Sequence, residues 1–223
     1  MSAFDKVYMV MNRQLLRSLP AWPLALTLVY TNSVYYELPS PMPTHWGING
    51  QPNGWSPRII GAWLLPCMMV FVWGLSVVLP KFDSRKANYE NGVVYNLVVT
   101  AIVAFEAVVQ WAMLNVALGH AVNINSVVYI SFGALFAILG AAMPFTKPNR
   151  YFGIRTKWTL SDDTVWARTH KAAGYLIVVA GVFTISAGLD SQRPQSAFVA
   201  TLIAILTAAL GSVGLSYYYW RKR

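Results

Sequence analysis

Apolar residues along this chain gather into six long stretches, near 19–36, 59–78, 93–118, 127–143, 172–189 and 197–216, with polar segments between them. A helix rises about 1.5 Å per residue, so roughly 17 to 25 apolar residues cross a hydrocarbon core of about 30 Å. The pattern predicts six transmembrane helices packed as an all-α polytopic membrane bundle in a single domain. The first stretch is the most diluted, by Pro20, Pro23, Thr27, Thr31, Asn32 and Ser33. A proline near a helix start is tolerated in a membrane, and the stretch keeps its assignment.

Basic residues orient these spans. Fifteen of the seventeen Lys and Arg side chains fall in four groups: Lys6, Arg13 and Arg17; Lys81, Arg85 and Lys86; Lys147, Arg150, Arg155, Lys157, Arg168 and Lys171; and Arg221, Lys222 and Arg223. Arg58 and Arg193 alone are left for the other face. Cytoplasmic segments accumulate Lys and Arg, so alternation over six crossings places both termini in the cytoplasm.

Composition points the same way, with 56% hydrophobic and 11% charged residues, whereas a soluble domain carries about 25% charge. A net charge of +9 would suit a nucleic-acid partner, but these cations border spans, where orientation and attraction to anionic lipid account for them. No direct nucleic-acid contact is predicted. Residues 1–18 carry no small-residue cleavage site, and Phe4, Val7, Tyr8, Met11 and Leu15 recur at helical spacing, which reads as an interfacial helix feeding the first span. The single cysteine, Cys67, excludes an internal disulfide.

Small residues mark where helices approach closely. In the fifth span Ala173-Gly174, Ala180-Gly181 and Ala187-Gly188 recur every seven residues, and in the sixth Ala200, Ala204, Ala208, Ser212 and Ser216 recur every four. The expectation is a tight antiparallel hairpin of these two spans. Gly133, Ala137 and Ala141 give the fourth span a similar face, and such stripes are also compatible with a homodimer.

Two loops on opposite faces hold the remaining information. In the external loop, 38–58, Pro39, Pro41 and Pro43 favour an extended approach, while Asn49-Gly50 and Pro52-Asn53-Gly54 are turn signals. The loop presents His45, Trp46 and Trp55 near the headgroups, either as an aromatic anchor or as a docking surface. His45, Glu37 and His120 are the side chains there able to ligate a metal, at a spacing that matches no ligand pattern, and no cofactor is predicted. In the internal loop, 144–171, Ser161 is expected to cap a helix that carries Asp162 and Asp163 in its first turn and runs into the fifth span. Gly153-Ile154-Arg155-Thr156 reads as a tight turn presenting a guanidinium. Arg155, Lys157, Arg168 and Lys171 either receive an acidic partner or lipid phosphate, or Arg155 pairs with Asp162 or Asp163 inside the loop.

Glu106, near the middle of the third span, has Gln110 one turn later on the same face. An ionisable group at that depth is costly and faces a cavity or a partner. It serves either proton or small-solute movement, or a structural hydrogen bond between helices. Enzyme chemistry finds little footing: no Gly-rich phosphate loop, GxSxG or HExxH is present, and Ser161 and His170, nine residues apart, face roughly opposite sides of a helix.

The stretch FGIRTKWTLSDDTVWARTHKAAG, residues 152–174, resembles the signature of the SdpI family, membrane proteins named for an immunity protein against a secreted bacterial toxin. The external PMPTHWGINGQPNGW segment is similar to an extracytoplasmic domain of unknown function that often precedes that signature. The resemblance divides the chain into an N-terminal helix pair, 19–78, carrying the external loop, and an SdpI-like region, 126–216, carrying the internal one. It implies a multi-pass protein of the bacterial inner membrane that binds an extracellular toxin peptide without catalysis and holds a cytoplasmic transcriptional repressor. By position Gly153, Arg155, Thr156, Trp158, Ser161, Trp166, Arg168 and His170 match the internal signature, and His45, Asn49, Gly50 and Trp55 the external one. Gly47 stands where that pattern commonly has Asn, and Asn53 where it commonly has Asp. A small-solute or proton-coupled transporter using Glu106 is the alternative.

Overall fold

Residues 13–85, 92–190 and 193–223 are described by a computed structural model. The expected interfacial helix through Phe4, Val7, Tyr8 and Met11, and the cations Lys6 and Lys86, lie outside the described residues. The helices are α1 (Arg13–Ser18), α2 (Ala21–Val34), α3 (Arg58–Val78), α4 (Val93–Ala117), α5 (Ile124–Ala142), α6 (Lys157–Ser161), α7 (Asp163–Leu189) and α8 (Pro194–Arg221). Five of these, α3, α4, α5, α7 and α8, are long and apolar enough to cross a membrane. In lipid every backbone polar group must be satisfied within the segment, and that requirement is what makes such stretches helical.

The first predicted span is built differently from the other five. Chain 13–37 breaks around Leu19-Pro20 into α1 and α2, and a 3-10 turn, Tyr35–Glu37, follows. The 14 residues of α2 extend only about 21 Å. Leu16 of α1 is nevertheless buried, and Leu24 of α2 packs with Met69 of α3 and with Val99 and Val103 of α4. The bundle is helical as expected, with one small addition outside the spans. The external loop folds into an antiparallel hairpin of β1 (Met42–Trp46) and β2 (Pro52–Ser56). Leu38 and Met42 sink into a cluster with Ala62, Met113 and Leu114, which fixes the hairpin to the ends of α3 and α4.

Helix α7, with its small-residue stripe, serves two partners: α8 packs on it as expected, and α5 comes closer still. Its closest approach is to α5: a Cβ added at Gly181 would stand 2.6 Å from Gly133 O and from Ala137 N, and one at Gly174 would stand 2.7 Å from Gly140 O. Helix α8 lies on another side of α7, burying Ala197, Thr201, Ala208, Ser212 and Ser216. Between Ala204 and Ala208 of α8 and Val179 and Phe183 of α7 a groove stays open. The tightest pair is therefore α5–α7, with the glycines occupied inside the chain. Phe105 of α4 meets Phe132 of α5, ring centroids 5.7 Å apart, and joins the N-terminal packing unit to this C-terminal one.

Candidate functional site

The hairpin at one end of the bundle has two unlike faces, because successive strand residues point to opposite sides. Met42, Thr44, Trp46 and Ser56 turn inward. His45, Asn53 and Trp55 turn outward and are exposed. Gly54 lies opposite His45 in the register, and a side chain there would press on the histidine Cβ at 2.9 Å. The turn runs through Asn49-Gly50 as expected: Gly47 N–H donates to Gln51 O at 2.9 Å, and Gly50 takes a φ of +77°. Pro52-Asn53-Gly54, expected as a second turn, is instead the start of β2. Of the predicted external residues, His45, Asn49 and Trp55 face out, Gly50 backs onto Asn125 of α5, and Trp46 packs against the cluster beneath.

His45 Nδ1 is paired with Asn53 Oδ1, and His120 Nδ1 with Asn115 Oδ1 at 2.8 Å. Both imidazoles thus engage amides, and among the described residues no three His, Cys, Asp or Glu side chains gather as a metal cluster. Sequence reasoning noted Asn53 as part of a turn signal and as a departure from the external pattern, and missed its role as the partner of His45. The strand pairing that supplies this contact has no local signal.

At the opposite end, residues 146–170 form a folded knot around two buried rings. Trp166 and His170, one turn apart on α7, stack with centroids 4.0 Å apart. Trp166 Nε1–H donates to Thr146 O at 3.0 Å. The Ile154 N–H donates to His170 Nε2 at 2.9 Å, so the ring is neutral with its proton on Nδ1, which faces Trp166 O at 2.8 Å. Gly153 holds a φ of +108°, and any Cβ there would run into that same Nε2. Thr156 caps α6 through a reciprocal pair with Thr159 and reaches Ser216 of α8 at 3.1 Å.

The expected cap at Ser161 is displaced by one residue. Ser161 ends α6, and Asp162 caps α7, its Oδ1 accepting from Thr164 N at 2.8 Å and Val165 N at 3.0 Å. These two bonds, Val165 first, together with Arg223 nearby, hold the Asp162 carboxyl below the ordinary carboxylate range. The helix it starts does run unbroken through the fifth span, as expected. Arg155 makes neither of the ion pairs considered for it: Asp162 meets Arg223 at 3.6 Å, and Asp163 meets Arg85 at 3.0 Å. Asp83 accepts from Arg150 N at 2.7 Å, so the α3–α4 connection grips the knot at two points.

The eight predicted internal residues consequently divide. Gly153, Thr156, Trp166 and His170 shape the knot from within, and Trp158 leans on Tyr217 of α8 at 5.0 Å between centroids. Arg155, Ser161 and Arg168 face outward, beside Lys157 and Lys171. Ser161 Oγ is bonded to Trp158 O at 3.0 Å and is not brought to His170. Within the spans, Gln110 Nε2 donates to Ala62 O at 2.8 Å, an interhelical bond, while Glu106 Oε2 is buried without a hydrogen-bond partner among the described residues.

Residues 145–217 match the SdpI/YfhL protein family, and residues 24–70 match a domain of unknown function, DUF1648. The Immunity protein SdpI of Bacillus subtilis (strain 168) is 25% identical over 199 residues, which cover 89% of this chain and 93% of that protein. No solved structure matches the chain. The resemblance carried by the internal and external motifs is thereby shown, and the chain is a multi-pass membrane protein similar to SdpI.

Proposed function

We propose that this SdpI relative is a membrane immunity and signalling protein that works by binding without chemistry. In this reading the hairpin faces outside and engages an extracellular toxin peptide through His45, Asn49 and Trp55. The knot faces the cytoplasm and offers Arg155 and Arg168 to a repressor of acidic surface. The α1–α2 segment completes the sixth crossing, with both termini inside.

One observation carries the proposal: each end of the bundle exposes a compact, hydrogen-bonded polar element, and the same helices anchor both. The hairpin rests on α3 and α4, whose connection at the other end pairs Arg85 with Asp163 of α7. A ligand with different affinities for two arrangements of these helices would shift the inner surface by that difference.

The test is survival of a sensitive bacterial host carrying the chain, challenged with peptides secreted by the chain's own source bacterium. Paired His45→Ala and Trp55→Ala substitutions are expected to abolish protection. Arg155→Ala with Arg168→Ala is expected to spare protection while releasing the repressor from membranes. Absence of protection by the unaltered chain at normal membrane levels overturns the proposal.

The unpartnered Glu106 Oε2 favours one second reading, a proton or small-solute pathway. It requires substrate-dependent flux in sealed vesicles that Glu106→Gln abolishes; flux unchanged by that substitution eliminates it.

A further inference from the structure

Beneath the hairpin a cavity of about 560 Å3 separates the two packing units, a size typical of small-ligand sites, which run about 300–1,000 Å3. Val109 and Met113 of α4 and Val128 of α5 form its back wall, and the inward face of the hairpin roofs it. Leu64 of α3 and Phe198 of α8 also line it and are 57% and 40% exposed. Both sit on helices long and apolar enough to cross a membrane, so the cavity reaches apolar surface that a bilayer would cover. Met113, by contrast, is 6% exposed and lines the cavity.

Polarity in this cavity is layered. The inward face supplies Thr44 and Ser56, and α5 supplies Asn125, whereas the walls below are aliphatic and aromatic. The roof groups also hold one another: Thr44 Oγ1 lies 3.0 Å from Ser56 Oγ, and Asn125 Nδ2–H donates to Ile48 O at 3.2 Å, latching the hairpin turn to α5. A polar ceiling at headgroup height above an apolar slot open to the bilayer fits an amphipath that enters sideways, head under the hairpin and tail downward. Empty apolar volume of this size inside a bundle would otherwise forfeit packing contacts.

We propose that this cavity is a lipid site, filled by one acyl chain of a phospholipid from the leaflet on the hairpin side. The chain wedges between α3–α4 and α5–α8 at the end where the hairpin sits. The inference is independent of toxin binding and needs only that the bundle resides in a bilayer.

The test reconstitutes the full chain in nanodiscs of phosphatidylglycerol and phosphatidylethanolamine doped with a phospholipid bearing a diazirine on its acyl chain. After illumination, adducts are mapped by peptide mass spectrometry. Adducts are expected on Met113 and Val128 as well as on the open lipid faces at Val179 and Leu210. Val128→Trp, which fills the slot with an indole, is expected to lower the Met113 adduct about fivefold while leaving Leu210 unchanged. Val109→Phe gives the same reading should Val128→Trp fail to fold. A Met113 free of adducts in the unaltered chain, or labelled equally in both filled variants, overturns the proposal. Labelling that disappears as the protein-to-lipid ratio rises assigns the cavity to a second copy and overturns it as well.

Discussion

Gln110 of α4 supplies to Ala62 of α3 the hydrogen bond that α3 cannot supply itself. Four residues after Ala62 stands Pro66, inside the helix and without an N–H. The Ala62 carbonyl therefore loses its ordinary i+4 donor, and Gln110 Nε2 fills the place at 2.8 Å. Gln110 is fully buried, so the orphaned carbonyl would otherwise face an apolar interior.

Gln110→Leu is expected to lower stability by about 1–2 kcal/mol, the worth of a buried hydrogen bond between membrane helices. Pro66→Ala returns the intrahelical donor, so the same Gln110→Leu change should cost less in that background. Thermal unfolding of the four variants in detergent measures the coupling; additive losses would show that the bond does not matter.

Gly153→Ala should loosen the knot from inside. It places a Cβ against His170 Nε2 at a backbone angle of +108°, a combination that costs on the order of 1–3 kcal/mol. Hydrogen exchange over 150–160 is expected to quicken while the spans stay protected. In a His170→Ala background the effect should shrink, since part of the collision is gone.

Gly181→Val is expected to separate α5 from α7 and to lower the yield of monodisperse protein. The added side chain meets Gly133 O and Ala137 N at 2.6 Å, backbone atoms that cannot move aside cheaply; overpacking of this kind costs about 1–3 kcal/mol or more. Gly74→Ala and Gly214→Ala, where nothing lies within 4 Å, serve as neutral controls in size-exclusion profiles.

Acid should release the start of α7. The folded state holds the Asp162 carboxyl below its ordinary value through the Val165 and Thr164 N–H groups and Arg223. The unfolded chain then binds the proton more readily, and stability rises with pH through this window. The contribution is complete above the ordinary aspartate value of about 3.9 and is lost as pH falls below it toward the folded value. Proteolysis at 156–166 by an acid-active protease should increase in that range. In Asp162→Asn the pH dependence of that step should disappear.

Several of these relationships were invisible in the chain as a string. Asn49-Gly50 announced its turn, since glycine at positive φ is a local matter, and hydropathy with cation placement located the five long helices to within a few residues at most of their ends. The internal knot was found as a polar, motif-bearing segment. Its division into buried and outward residues was not legible, because Trp166 and His170 are buried by Thr146, Gly153 and Ile154 folding back over them. Ser161 and Asp162 are both good caps, and propensity could not choose between neighbours; α6 takes the serine as its last residue and leaves the aspartate to start α7.

By itself the sequence located the five long apolar helices and the segments that gather positive charge, because the length of an apolar run and its flanking cations are local properties. It also determined that α7 carries a face built for close approach. Only the tertiary structure decided that α5, rather than α8, comes closest to that face, that His45 pairs with Asn53, and that Gln110 answers for Pro66. Each is a contact between distant residues, fixed by how neighbouring surfaces fit and by where an unsatisfied polar atom finds its partner.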